Sequence, residues 1–133
     1  MPFEIREPRL DGLGEPTYFV RSYPTDAVSL VYGDVERPRL VLTQLRARFE
    51  EEFVQKVVGP ATRVERLTVR GEPALWLTGQ PHGFGFVTPD ERVTDDPFYL
   101  ARNTLLWQSG DLTLRVEGDL TRQQAVAIAR ATE

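Results

Sequence analysis

Several residue types are scarce or missing in this chain of 133 residues, and each absence excludes a class of site. There is no cysteine, which excludes disulfides, thiolate metal sites and thiol nucleophiles. There is one histidine, His82, so a multi-histidine metal centre is excluded as well. We therefore expect neither a metal nor a cofactor. No run approaches the roughly twenty apolar residues of a membrane-spanning helix, and no signal-peptide pattern opens the chain.

The usual catalytic patterns are missing too. None of the three serines, Ser22, Ser29 and Ser109, lies in a Gly-x-Ser-x-Gly elbow. The pair Asp95-Asp96 lies in a polar loop before a proline, with no apolar pocket that would favour general acid catalysis. We expect no enzyme activity. A small hydrolase that uses His82 is an alternative, and it predicts turnover that disappears in His82→Ala.

The composition indicates a globular protein. Hydrophobic residues make up 41% of the chain and charged residues 27%, and the length suits one domain with a single core. The formal net charge is −4, which does not favour binding to nucleic acid or to an anionic membrane. We expect one domain over residues 1–133, with residues 1–15 as a lead-in segment broken by prolines and glycines.

Runs of β-forming residues between turn signals predict most of a sheet. The predicted strands cover residues 17–21, 28–32, 40–45, 62–70, 74–78 and 84–87, with a further short strand at 3–5. Residues 40–45 are apolar enough for the middle of a sheet. The arginines and glutamate of residues 62–70 are predicted to face solvent or to protect an edge. Residues 88–98 are predicted to form a polar loop.

The last thirty or so residues give the clearest pattern. Residues 104–117 predict a hairpin that turns at Ser109-Gly110-Asp111, and its second strand alternates apolar with polar residues as in a half-buried antiparallel pair. Thr121 and Gln124 have the spacing of a capping box at the start of a helix. The apolar stripe of Ala125, Ile128 and Ala129 that follows is typical of a helix that covers its own sheet. The alternative is that the stripe is a docking face for a helix of a partner protein.

A second helix is predicted after the third strand. Phe49, Phe53 and Val57 recur every four residues, glutamates fill the other face, and Gly59-Pro60 ends the run. The fold class is therefore α+β, with a mostly antiparallel curved sheet of about seven or eight strands. One amphipathic helix of about ten residues is inserted after the third strand, and one helix closes the chain.

One segment stands out as a candidate binding site for a ligand or a partner. It contains Trp76, His82, Phe84 and Phe86, so that three aromatic residues and the only histidine fall within eleven residues. Such a set can form a concave, partly apolar surface with a polar tip. The alternative is structural, because a tryptophan on a strand is usually core and either Trp76 or its neighbours Leu75 and Leu77 must face away from the main core.

A series of short motifs also resembles a family. They include Gly14-Glu-Pro16, Val28-Ser-Leu-Val-Tyr32, Leu42-Thr-Gln44, Lys56, Thr62-Arg-Val-Glu65, Val69-Arg-Gly71, Trp76-Leu-Thr-Gly79, Pro81-His82, Asn103-Thr-Leu-Leu-Trp107, Leu112-Thr-Leu-Arg-Val-Glu-Gly118 and Ala125-Val-Ala-Ile-Ala129. In this order they resemble an uncharacterised domain of actinobacterial type. That domain forms the extracytoplasmic C-terminal part of membrane-anchored chains similar to anti-sigma factors or lipoproteins.

The resemblance implies an extracytoplasmic location in the cell envelope, in a parent chain that is membrane-anchored. It implies no catalytic residues. The expected function is a non-enzymatic sensing or protein-interaction domain of a cell-envelope regulatory protein, with a protein as its partner. The alternative is a carrier of a lipid or another small apolar ligand, in a cavity lined by Phe49, Phe53, Trp76 and Trp107.

Overall fold

A computed structural model describes residues 3–22, 25–49, 62–79, 85–87, 89, 93–95 and 103–132. Its main element is an antiparallel sheet of seven strands in the order β1-β2-β3-β9-β8-β5-β4. These strands are β1 (Thr17–Arg21), β2 (Ala27–Gly33), β3 (Pro38–Arg46), β4 (Thr62–Val69), β5 (Glu72–Gly79), β8 (Asn103–Ser109) and β9 (Leu112–Gly118). Two short strands, β6 (Gly85–Val87) and β7 (Val93–Asp95), pair with each other. The predicted antiparallel α+β fold is confirmed.

Two tight turns shape this sheet. Gly110 and Asp111 join β8 to β9, and Gly110 has φ 61°, the positive value that a type II′ turn needs at its first central residue. Arg70 and Gly71 join β4 to β5 with φ 53° and 79°, the pair of positive values of a type I′ turn. Both turns match the right-handed twist of the strands, so each fixes the register of its hairpin.

One face of the sheet, which we call the helix face, packs against the closing helix α1 (Arg122–Ala131). Thr121 and Gln124 form the predicted capping box, with the Gln124 amide N–H donating to the Thr121 hydroxyl at 3.1 Å. Ala125, Ile128 and Ala129 are the buried residues of the helix, as predicted. The stripe therefore covers the helix's own sheet.

The lead-in segment also lies on the helix face. The side-chain amide of Gln44, which is fully buried, accepts from the backbone N–H of Arg6 at 2.8 Å and donates to the Arg6 carbonyl at 2.5 Å. The predicted strand at residues 3–5 is wrong, because this segment is held by a side chain instead of by a neighbouring strand. Pro8 alone forms a bridge, with Thr132.

The other face of the sheet, the opposite face, is buried as well. Its apolar cluster contains Ala27, Leu45, Ala47, Leu75, Leu77 and Leu106, with Phe49 and Val64 packed against it. The sequence left open which side chains of β5 face away from the main core. Trp76 is buried on the helix face, and Leu75 and Leu77 are buried on the opposite face. A strand buried on both faces needs no exposed side.

Two further predictions concern the rest of the chain. The loop predicted at residues 88–98 is wrong at 93–95, where the β-forming pair Val93 and Thr94 begins β7. The helix predicted after the third strand lies outside the described residues from residue 50 onward. Phe49, its first residue, is described and is half-buried on the opposite face.

Candidate functional site

The outer edge of β1 is the largest exposed apolar feature of the described residues. Tyr18, Phe19 and Val20 are successive residues of this strand, and their side chains are 44%, 47% and 66% exposed. They lie on both faces of the sheet because side chains alternate along a strand. In the main sheet β1 is the terminal strand and pairs only with β2. An apolar, uncharged edge of this kind is a template for another strand.

The register of the sheet shows which backbone groups point outward from β1. Ser109 and Leu112 flank a two-residue turn, so they form a hydrogen-bonded pair. Bonded pairs alternate along antiparallel strands, and the alternation can be followed through β9, β3 and β2 by their pairing. It reaches β1 with Phe19 bonded to β2. Tyr18 and Val20 therefore direct their N–H and C=O groups to the outer edge.

The helix face next to β1 carries two tyrosines and two glutamates. Burial, helped by hydrogen bonding to Glu7 and by the charges of Glu7 and Glu15, raises the pKa of Tyr18. Tyr32, on β2, is 2% exposed. Burial, helped by the charges of Glu7, Tyr18 and Glu15, raises the pKa of Tyr32 to about 12. Both phenols are neutral at pH 7, so the glutamates make this end of β1 acidic.

Several polar side chains are buried together in the centre of the opposite face. Arg115 and Glu117 have fully buried side chains, and Nε of the arginine lies 2.5 Å from Oε1 of the glutamate. Nearby, the hydroxyls of Ser29 and Thr43 are hydrogen-bonded at 3.0 Å, and Thr43 lies opposite Arg115 in the sheet. The charges of the ion pair balance each other inside the protein. Both side chains are fully buried, so neither charge is presented to the surface.

The prediction that the polar side of β9 is exposed is wrong, and the sequence did not predict this ion pair. The signal available was the spacing of two, which puts Arg115 and Glu117 on one face of one strand. Nothing local showed that this strand would be the central one, with β3 on one side and β8 on the other. Burial of the pair follows from that central position.

A cleft of about 580 Å³ lies between β4 and α1. It is lined by Leu67, Thr68, Arg122, Gln123, Val126, Ala127 and Arg130. Nη1 of Arg122 lies 3.1 Å from Oε2 of Glu65 on β4, and the Arg70 side chain donates to the carbonyl of Arg130 near the end of the helix. These contacts tie the helix to the edge strand. The arginines predicted to face solvent from β4, Arg63 and Arg66, are exposed as expected.

The predicted site residues are described only in part. Trp76 is 5% exposed in the core of the helix face, diagonal to Trp107, which favours the structural interpretation of this residue. His82 and Phe84 lie outside the described residues. Phe86 lies on β6 opposite Thr94, and the position of its side chain is not described. A surface formed by these four residues therefore stays a prediction.

The apolar cavity predicted for a carrier function requires residues that lie on two different faces of the sheet. Trp76 and Trp107 pack in the cluster of the helix face, whereas Phe49 packs against the cluster of the opposite face. The sheet itself lies between them, so they cannot line one cavity. Phe53 lies outside the described residues. A carrier function stays a prediction, without this cavity to support it.

The described residues contain neither a candidate metal centre nor a membrane-spanning helix. In the described ranges, no three His, Asp or Glu side chains are grouped so that they could hold a metal ion. The helix within those ranges is too short and too polar to cross a bilayer. Comparisons with protein-family models, with curated proteins and with solved structures find no match to this chain.

Proposed function

We propose that this chain is a non-enzymatic protein-interaction domain that binds an extended segment of a protein partner along the outer edge of β1. The observation that carries the proposal is the run of three exposed apolar side chains, Tyr18, Phe19 and Val20, on a terminal strand. Strand addition uses the main-chain hydrogen bonds of such an edge for affinity and the alternating side chains for specificity. A sensing role in a regulatory protein of the cell envelope is part of the proposal, and the family resemblance alone supports it.

The two edges of the main sheet differ in the way that this proposal requires. On β4, the side chains of Arg63 and Arg66 are exposed, and charges of this kind discourage the addition of a strand. On β1, the exposed residues between Thr17 and Arg21 carry no charge. A partner strand is therefore expected on β1 and not on β4.

The test is the selection of extended peptides from a displayed random library on the immobilised chain. We expect apolar peptides that bind the wild-type chain and that no longer bind Val20→Pro. Proline at this position removes an outward N–H group while the bonds between β1 and β2 remain. The matched control is Thr68→Pro, which removes an outward N–H group from β4, and it should bind the same peptides as the wild type.

Two results would contradict the proposal. One is the failure of any extended peptide to be enriched on the wild-type chain above an unrelated domain. The other is equal binding to the wild type and to Val20→Pro, which would place the bound peptides elsewhere on the molecule. Circular dichroism of both proline variants shows whether each has kept the sheet.

A further inference from the structure

We propose that the outer edge of β1 binds the same edge of a second copy of this chain. The two strands run antiparallel about a two-fold axis at Phe19, and the two seven-stranded sheets become one continuous sheet. This inference rests on the proposed function, because it names the occupant of the proposed binding edge.

The outward backbone groups select the register. Tyr18 and Val20 point outward, so Tyr18 of each copy can pair with Val20 of the other in two hydrogen-bonded pairs, each exchanging two N–H···O bonds. This register leaves Phe19 opposite Phe19 on the two-fold axis. A register centred on Tyr18 would instead place Pro16, which has no N–H, in a hydrogen-bonded pair.

Charge complementarity supports the same arrangement. Glu15 precedes the apolar run and Arg21 ends it, so the run has an acidic end and a basic end. When the strands run antiparallel, the acidic end of one copy lies beside the basic end of the other. The two-fold symmetry repeats this juxtaposition of opposite charges at both ends of the paired strands.

The exposed side chains also complement one another. Phe19 would face its counterpart across a non-hydrogen-bonded pair, where side chains approach most closely. Tyr18 would lie against Val20 on the helix face of the joined sheet. The same patch then serves both copies, as two-fold symmetry requires of a dimer interface. Three side chains that are about half-exposed or more in the single chain lose contact with water together.

The absence of cysteine makes a specific test available, because one introduced cysteine is the only thiol in the chain. In Phe19→Cys the two thiols face each other across a pair whose Cα atoms are about 4.5 Å apart, within the range that a disulfide spans. We expect a disulfide-linked dimer that forms on the order of tenfold faster than in Thr68→Cys, the exposed position on the β4 edge. Sedimentation equilibrium of the wild type should show a dimer, and Val20→Pro should be monomeric.

Equal rates of cross-linking in the two cysteine variants, with a wild type that stays monomeric at high concentration, would overturn the inference. The peptide selection separates this result from failure of the proposed function. If peptides bind the β1 edge while the chain stays monomeric, self-pairing is wrong and strand addition stands. If the edge binds neither peptides nor a second copy, both are wrong. A wild-type dimer that persists in Val20→Pro would place the dimer contact elsewhere and also contradict the inference.

Discussion

Strands β9 and β1 are both rich in β-forming residues and have opposite surroundings. β9 is the fourth of seven strands, and all of its residues are buried, including Arg115 and Glu117. β1 is the first strand in the sheet, and four of its five residues are exposed, including Tyr18, Phe19 and Val20. Charges lie inside and apolar rings lie outside because burial follows the place of a strand in the sheet as well as its residue types.

We therefore expect β9 to contribute mainly to stability and β1 mainly to association. β9 has a strand on each side and buried clusters on both faces, so changes there should lower the free energy of unfolding. β1 has one neighbouring strand, so changes there should alter association more than folding. Substitutions in and around the two strands test this division between stability and binding.

The largest effect on stability is expected at the hairpin partner of β9. Trp107 is 4% exposed and lies opposite Leu114 on the helix face. Trp107→Ala should lower the free energy of unfolding by about 3–5 kcal/mol, because it removes a large buried ring and leaves a cavity. Urea denaturation measures the change. A loss of less than about 1 kcal/mol would mean that the centre of the sheet contributes less than its burial indicates.

The buried ion pair tests the central strand itself. Arg115→Ala leaves the Glu117 carboxylate buried without its main counter-charge, and it should cost about 3–5 kcal/mol. The double variant Arg115→Met, Glu117→Leu removes both charges and should be more stable than either single variant. Denaturation of the three proteins gives the comparison. Additive losses in the double variant would show that the two side chains do not act as a pair.

Tyr32 lies on β2, between the two compared strands, and it links stability to pH. Its pKa is raised to about 12 in the folded chain, against about 10 in the unfolded chain. The folded state therefore holds the phenol proton more tightly. This stabilisation of about 2–3 kcal/mol is complete below pH 10 and is lost as the pH rises towards 12.

Thermal unfolding between pH 8 and pH 12 checks this expectation. The decline in stability should be smaller in Tyr32→Phe, which cannot ionise at this position. Tyr18 contributes in the same direction, because its pKa is also raised, so part of the decline should remain. The same decline in Tyr32→Phe as in the wild type would contradict the assignment to Tyr32.

The smallest effect on folding is expected at β1. Phe19→Ser removes a half-exposed ring and should lower the free energy of unfolding of the monomer by only about 1 kcal/mol. Dilute protein measures this value, since a dimer would add its own stability at high concentration. The wild type should gain stability with concentration, and Phe19→Ser should gain less, because the backbone pairing remains while the ring contact is lost. A loss of several kcal/mol in dilute Phe19→Ser would make β1 part of the core.

The sequence predicts local structure well where short-range signals determine it. Gly110 marks the turn between β8 and β9, and Thr121 with Gln124 marks the start of α1, because these contacts involve residues close in the chain. The order of the strands is a long-range property. Nothing in β9 shows that β3 will pair with it, and nothing in β1 shows that its second edge will stay open.

For the same reason, the exposed edge could not be found from the sequence. Thr17-Tyr-Phe-Val-Arg21 has the composition of an ordinary strand, and strand propensity does not distinguish a central strand from an edge strand. The predicted site began instead at Trp76, where aromatic residues are dense. Trp76 proved to be buried because β5 lies between β4 and β8, and this order cannot be derived from its neighbours in the chain.

The most direct measurement is the rate of hydrogen exchange at the backbone amides of Tyr18 and Val20, at low and at high protein concentration. The structure directs both N–H groups to the open edge, while the N–H of Phe19 bonds to β2 and provides an internal control. We predict that the Tyr18 and Val20 amides exchange rapidly in dilute protein and become protected as a second copy pairs with β1. Rates that do not change with concentration, or amides already protected in the dilute chain, would contradict the open, self-pairing edge.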